Sequence, residues 1–134
     1  MGTDNNIATA TAVADRFVGA LENGDEAELA RLYHPGLRFT IRTSRAAFDR
    51  DAALRNFRTM WHHLHDVAVE VVDRQLTERG FLSQQVLRAT LTDGVRIEVP
   101  MCMVFELREG RIYRIDEYFD AAAVGPLAAL LPAT

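Results

Sequence analysis

The sequence predicts a single α+β domain: a curved antiparallel sheet packed against three helices from the N-terminal and middle parts of the chain, with a short helix at the C-terminus. Three observations lead there. Apolar residues recur at three- and four-residue spacing in the first third of the chain and again in its middle. From Val67 onward, β-rich runs are separated by Glu78-Arg79-Gly80, Thr92-Asp93-Gly94 and Arg108-Glu109-Gly110, all rich in turn-forming residues. With 134 residues, 49% hydrophobic and 25% charged, the chain has the length and balance of one globular domain, residues 1–134.

The elements follow in order. Ile7, Ala10, Ala14, Phe17, Val18 and Leu21 mark one face of a first helix, which Asn23-Gly24 ends. Asp25 starts a second, short helix, with Glu28 in the capping-box position. Leu29, Leu32 and Tyr33 form its apolar side, and His34-Pro35-Gly36 stops it. Leu37, Phe39 and Ile41 then alternate with Arg38, Thr40 and Arg42, the pattern of a strand with one buried face. After a polar loop through Ser44 and Arg45, Asp49 or Asp51 caps a third helix with the stripe Leu54, Phe57, Trp61 and Leu64. Four strands follow, over 67–76, 81–91, 95–107 and 111–119. Asp120 caps a last helix over 121–131, which Gly125-Pro126 interrupts.

Composition excludes several classes. The net charge is -4 and no basic stripe exists, so no nucleic-acid partner is expected. No apolar run approaches the roughly 18 residues of a membrane span, so no membrane is expected either. The start, MGTDNNIATATAVADRF, lacks the basic residues and apolar core of a signal peptide. Cys102 is the single cysteine, so no internal disulfide forms, which suits a cytoplasmic location. Cys102 has no evident base beside it and is a weak nucleophile. His62, His63 and His65 sit too close in sequence to converge from a helix, and no His-Glu-x-x-His spacing exists, so no metal is expected. Phosphate loops and nucleotide fingerprints are absent, and no cofactor is implied.

Turn lengths predict the strand register. Leu91 opposite Gly94 puts Gln84 opposite Met101, and Leu107 opposite Arg111 puts Met101 opposite Glu117. Paired residues point to the same side, so Gln84, Met101 and Glu117 are expected together. Their same-face neighbours are Leu82, Val86, Arg88, Val99, Met103, Phe105, Tyr113, Ile115 and Phe119. A one-residue slip would bring Asp116 inside in place of Glu117. The chosen register is the one that buries Met101, Met103 and Phe105 together. Burial on this mostly apolar face raises a carboxyl pKa, which suits Glu117 to acid or base work near neutral pH. A second reading pairs Glu117 with Arg88 or a helix arginine, as a structural ion pair. Likewise Gln84 is either an oxyanion donor or an ordinary sheet amide.

The stretch RFVGALENGDEAELARLYHP, residues 16–35, and the closing VFELREGRIYRIDEYFD, residues 104–120, sharpen the picture. They resemble the first helix pair and the last hairpin of the nuclear transport factor 2-like superfamily, in its SnoaL-like and limonene epoxide hydrolase-like branch. The resemblance covers nearly the whole chain and implies a cone-shaped sheet. Members include isomerases, epoxide hydrolases, polyketide cyclases, dehydratases and non-enzymatic adaptors, so the fold leaves the reaction open. The acid/base positions of the steroid isomerases fall on Phe17, Ile41 and Met103, none of which moves a proton. Of the Asp-Arg-Asp set of the epoxide hydrolases, one carboxylate falls on Glu117, while Gln84 and Val86 replace the others.

The expectation is therefore a cofactor-independent isomerase, cyclase, dehydratase or epoxide-opening enzyme acting on a hydrophobic small molecule. Glu117 and Gln84 are its catalytic candidates. Phe17, Tyr33, Phe39, Ile41, Phe57 and Trp61 are expected to form the pocket wall, with Val86, Arg88, Met101, Met103 and Tyr113. The alternative is a ligand-binding or dimerisation module without chemistry. A homodimer is expected through the outer sheet face, around Arg96, Glu98, Pro100, Cys102, Val104, Arg114 and Asp116.

Overall fold

Side-chain caps decide where two of the helices begin. In the computed structural model, which describes residues 3–131, Asp25 accepts a hydrogen bond from the Glu28 amide and opens α2, Glu26–Leu32. Asp49 accepts from the Ala52 amide and opens α3, Arg50–Trp61. The first helix, α1, runs Thr3–Asn23. It buries Ala10, Val13, Ala14, Phe17 and Ala20, while Ile7, expected on that face, is exposed. After the last strand, Asp120 accepts from the Ala122 amide and starts a 3-10 turn, Ala121–Val124. A one-turn helix, α4 (Gly125–Ala128), completes the chain's last segment, with Pro126 in its first turn.

Six strands form one sheet in the order β2-β1-β6-β5-β4-β3. They are β1 (Tyr33–Ile41), β2 (Ala46–Phe48), β3 (Leu64–Leu76), β4 (Gly80–Leu91), β5 (Arg96–Arg108) and β6 (Arg111–Phe119). The last four form the expected antiparallel meander. Two features were not expected. The segment read as a polar loop contains β2, which pairs with the end of β1. And β1 joins the meander by parallel pairing with β6, which sets Ile41 beside Glu117.

The register differs from the expected one on β4. Gln84 lies opposite Cys102, and Gln85 opposite Met101. The cause is the β4–β5 turn, which is one residue longer than assumed. Leu91 accepts from Gly94 and donates to Val95, leaving Thr92, Asp93 and Gly94 as a three-residue loop. Gly94 has φ +87°, the left-handed geometry that closes such loops. One residue of slip exchanges the two faces of β4. Gln84 is therefore exposed, Val86 and Arg88 lie on the outer face, and Phe81, Ser83 and Gln85 are buried. Between β5 and β6 the shift is two residues, so Glu117 faces Met103 and keeps its expected side. A bulge near the turn makes Tyr113 the extra residue between Ile112 and Arg114. Tyr113 therefore leaves the expected face. Its ring meets His34 edge-on, and the Arg108 guanidinium lies 3.8 Å over it.

Two apolar clusters fill the space between sheet and helices. The larger joins α1, α2 and α3 to Phe81, Met103, Phe105, Ile112 and Ile115. Its centre is an aromatic stack, with Phe81 4.2 Å from Phe105 and Phe17 edge-on to Phe105 at 5.1 Å. The smaller joins Ala89, Leu91, Ile97 and Val99 to Leu127 of α4. Met101 packs against both clusters.

Candidate functional site

An inner cavity of about 150 Å³ lies between the α3 side and the sheet, and Glu117 is on its wall. Strand alternation brings Glu117 there. Its paired neighbours on β5 and β1 are Met103 and Ile41, both of which also line the cavity. The backbone is pinned too, since the Arg42 amide donates to the Glu117 carbonyl at 2.8 Å. Counted over the whole residue Glu117 is only partly buried, because it borders a hollow; its carboxyl is nevertheless withdrawn from bulk water. That burial pushes the carboxyl pKa up to about 7. Among the described residues, no ion pair or side-chain hydrogen bond holds this carboxyl. Larger hollows of about 490 and 790 Å³ are surface depressions beside Arg79, away from Glu117.

Several expected site residues do share this cavity. Phe17, Tyr33, Phe39, Ile41 and Phe57 line it, as do Met101 and Met103. Tyr33 stands where α2 passes into β1 and is buried. Burial, and then the nearby charge of Glu117, raise its hydroxyl well above the ordinary phenol range. Tyr33 is thus a neutral donor at any physiological pH.

Other expected residues lie elsewhere. Gln84, Val86 and Arg88 are on the outer face for the register reason given above. Arg88 pairs there with Glu70 at 2.9 Å and Glu98 at 3.2 Å, so it is neither a partner of Glu117 nor an anchor in the cavity. Trp61 lies behind the wall, stacked on Phe57 at 5.9 Å. It covers Gly24, where any Cβ would lie 2.0 Å from the indole. Among the described residues no group of His, Cys, Asp or Glu converges in a way that would hold a metal ion.

Two polar residues were missed. Asn56 lines the cavity from α3. Its signal was a polar residue within the apolar stripe Ala53, Phe57 and Met60, all of which line the same cavity. Gln85 is the inward glutamine of β4. It accepts from the Ser83 hydroxyl at 3.0 Å and donates to the sulfurs of Met101 and Met103, each at 3.6 Å. It therefore supports the methionines of the cavity wall from behind.

This open, curved sheet wrapped by helices is the nuclear transport factor 2-like cone fold. Within it, residues 14–115 match the SnoaL-like domain, and the chain belongs to that family. Solved structures share the fold at low identity. A protein with a ketosteroid isomerase-like fold from Catenulispora acidiphila, in complex with trimethylamine, is 14% identical at TM-score 0.75, covering 90% of this chain and 93% of its own. PrhC from Penicillium brasilianum is 14% identical at TM-score 0.81, covering 91% and 87%. A limonene epoxide hydrolase-like enzyme from M. tuberculosis is 18% identical at TM-score 0.75, covering 92% and 91%. No curated protein matches the sequence.

Proposed function

We propose that the chain is an enzyme performing acid/base chemistry on a hydrophobic small molecule, with Glu117 as the proton carrier. The observation behind this reading is a single unpaired carboxyl on an apolar cavity wall. With its pKa near 7, Glu117 is populated in both protonation states at neutral pH. It can take a proton from carbon or water and return it to oxygen. Cyclisation, isomerisation, dehydration and epoxide opening all need that step, and such reactions occur in the wider superfamily. Tyr33, kept neutral nearby, is suited to stabilise negative charge developing on a substrate oxygen. A carbon-13 NMR titration of the Glu117 carboxyl tests the reading before any substrate is known. The expected midpoint is about 7; a midpoint near the ordinary 4.5 would remove its basis.

Dimerisation is the second reading, favoured by Tyr118. This side chain is 46% exposed on the outer face, beside Cys102 and among charged groups. A homodimer through that face should scatter light at twice 15.0 kDa. A species of 15.0 kDa alone at micromolar concentration would sink it.

A further inference from the structure

We propose that Asn56 fixes the oxygen of a neutral, single-ring ligand inside the cavity, and that this makes the site selective for monocyclic ketones and alcohols. The word substrate attaches to that ligand only through the acid/base reading of Glu117; the binding claim stands on the cavity itself.

Size comes first. A cavity of about 150 Å³ accepts a ligand of benzene's scale, roughly six to ten heavy atoms. Polycyclic molecules need several times that space. Charge comes second. Among the described residues no Arg, Lys or His lines the cavity, and Glu117 is its one carboxylate. An anionic ligand would be buried beside that carboxyl without a counter-charge.

Polarity comes third. Among the described residues Tyr33, Asn56 and Glu117 are the only lining ones with polar side chains. Tyr33 and Glu117 belong to neighbouring strands and are close enough for the Glu117 charge to act on the phenol. Asn56 reaches the cavity from the helix instead. Among the described residues no hydrogen bond engages its amide, although it interrupts the apolar stripe of Ala53, Phe57 and Met60. This half-buried amide is uncommitted within the protein and borders the cavity, where a ligand oxygen can use it. Its N–H groups can donate to a ligand carbonyl or hydroxyl oxygen. A site built around such a bond rejects analogues that lack the oxygen.

Calorimetry on the full chain at pH 6 tests this, with five probes: cyclohexanone, methylcyclohexane, cyclohexanecarboxylate, the N-methylpiperidinium cation and the tricyclic ketone anthrone. Cyclohexanone should bind, about tenfold tighter than methylcyclohexane, while the carboxylate and anthrone should not bind. Asn56→Leu should cost cyclohexanone about tenfold and leave methylcyclohexane unchanged or tighter. Asn56→Ala guards against a folding defect and should show the same split. Equal binding of ketone and hydrocarbon, or equal losses in the variants, overturns the proposal. So does tightest binding of the cation or of anthrone, or no binding of any probe. The two readings fail separately: ketone selectivity with Glu117 titrating near 4.5 sinks only the acid/base reading. Lost selectivity with a midpoint near 7 sinks only this one.

Discussion

Asp116 and Glu117 are consecutive carboxylates on β6, and the sheet separates them completely. Asp116 points outward, held by Arg42 at 2.8 Å and Arg114 at 3.1 Å. Glu117 points inward, onto an apolar wall, with no cation among the described residues that line its cavity. The same contrast runs across the strands. Outside, Arg88 lies between Glu70 and Glu98; inside, Ser83 donates to Gln85, which donates to two methionine sulfurs. The outer face is built of solvated pairs that contribute little each. The inner face carries Glu117, an unpaired carboxyl whose environment changes its chemistry. Residue type therefore says less about reactivity here than the side of the sheet.

The largest expected effect separates the two carboxylates by function. Glu117→Gln keeps the shape but cannot exchange a proton, so turnover should fall by about 10²- to 10⁴-fold once a substrate is in hand. Asp116→Asn should leave turnover within about twofold, since its carboxyl faces the other side. Comparable losses in both variants would break the contrast.

Stability against pH gives the next effect. The folded pKa of Glu117 is raised to about 7 from an ordinary 4.5. The folded state therefore holds a proton that the unfolded chain has already released between those values. No penalty exists below pH 4.5; it grows as pH rises through the window and is complete above about 7. Glu117→Gln removes it, so the variant should be more stable than the parent by about 3 kcal/mol at pH 8. At pH 4 the two should melt alike. A variant less stable at pH 8 would mean that Glu117 has a partner after all.

Smaller effects report the register of β4. Gln85→Leu strands the Ser83 hydroxyl in a buried setting and should cost about 1–3 kcal/mol in chemical denaturation. Gln84→Leu, on the exposed side, should change stability by no more than about 0.5 kcal/mol. The reverse ranking would restore the register in which Gln84 faces inward. Asp116→Asn should likewise cost about 1 kcal/mol or less, a loss that shrinks in high salt.

Much of this was legible in the chain. Asp25 with Glu28, and Asp120, announced the helix starts they cap, and of the two candidates Asp49 and Asp51 the structure uses Asp49. The alternation of Leu37, Phe39 and Ile41 announced β1, and the inward side of Glu117 survived because the β5–β6 shift is an even number of residues. Gln84, Val86 and Arg88 were misassigned by one residue of loop length at Gly94, to which local pattern is blind. Tyr113 was misplaced by a bulge, which adds a residue without changing composition. Three-residue β2 is too short to show a period, and Asn56 is unremarkable until its neighbours on the stripe are seen to face a hollow.

Periodicity, caps and turn residues are local, and they sufficed to determine the α+β class, the order of the elements and the antiparallel meander. The parallel union of β1 with β6 was decided only in three dimensions, because it joins segments some 75 residues apart with no local signal. So was the hollow beside Glu117. Whether a carboxyl is paired, solvated or left alone depends on what every neighbouring element fails to place there, and close packing makes that a property of the whole assembly.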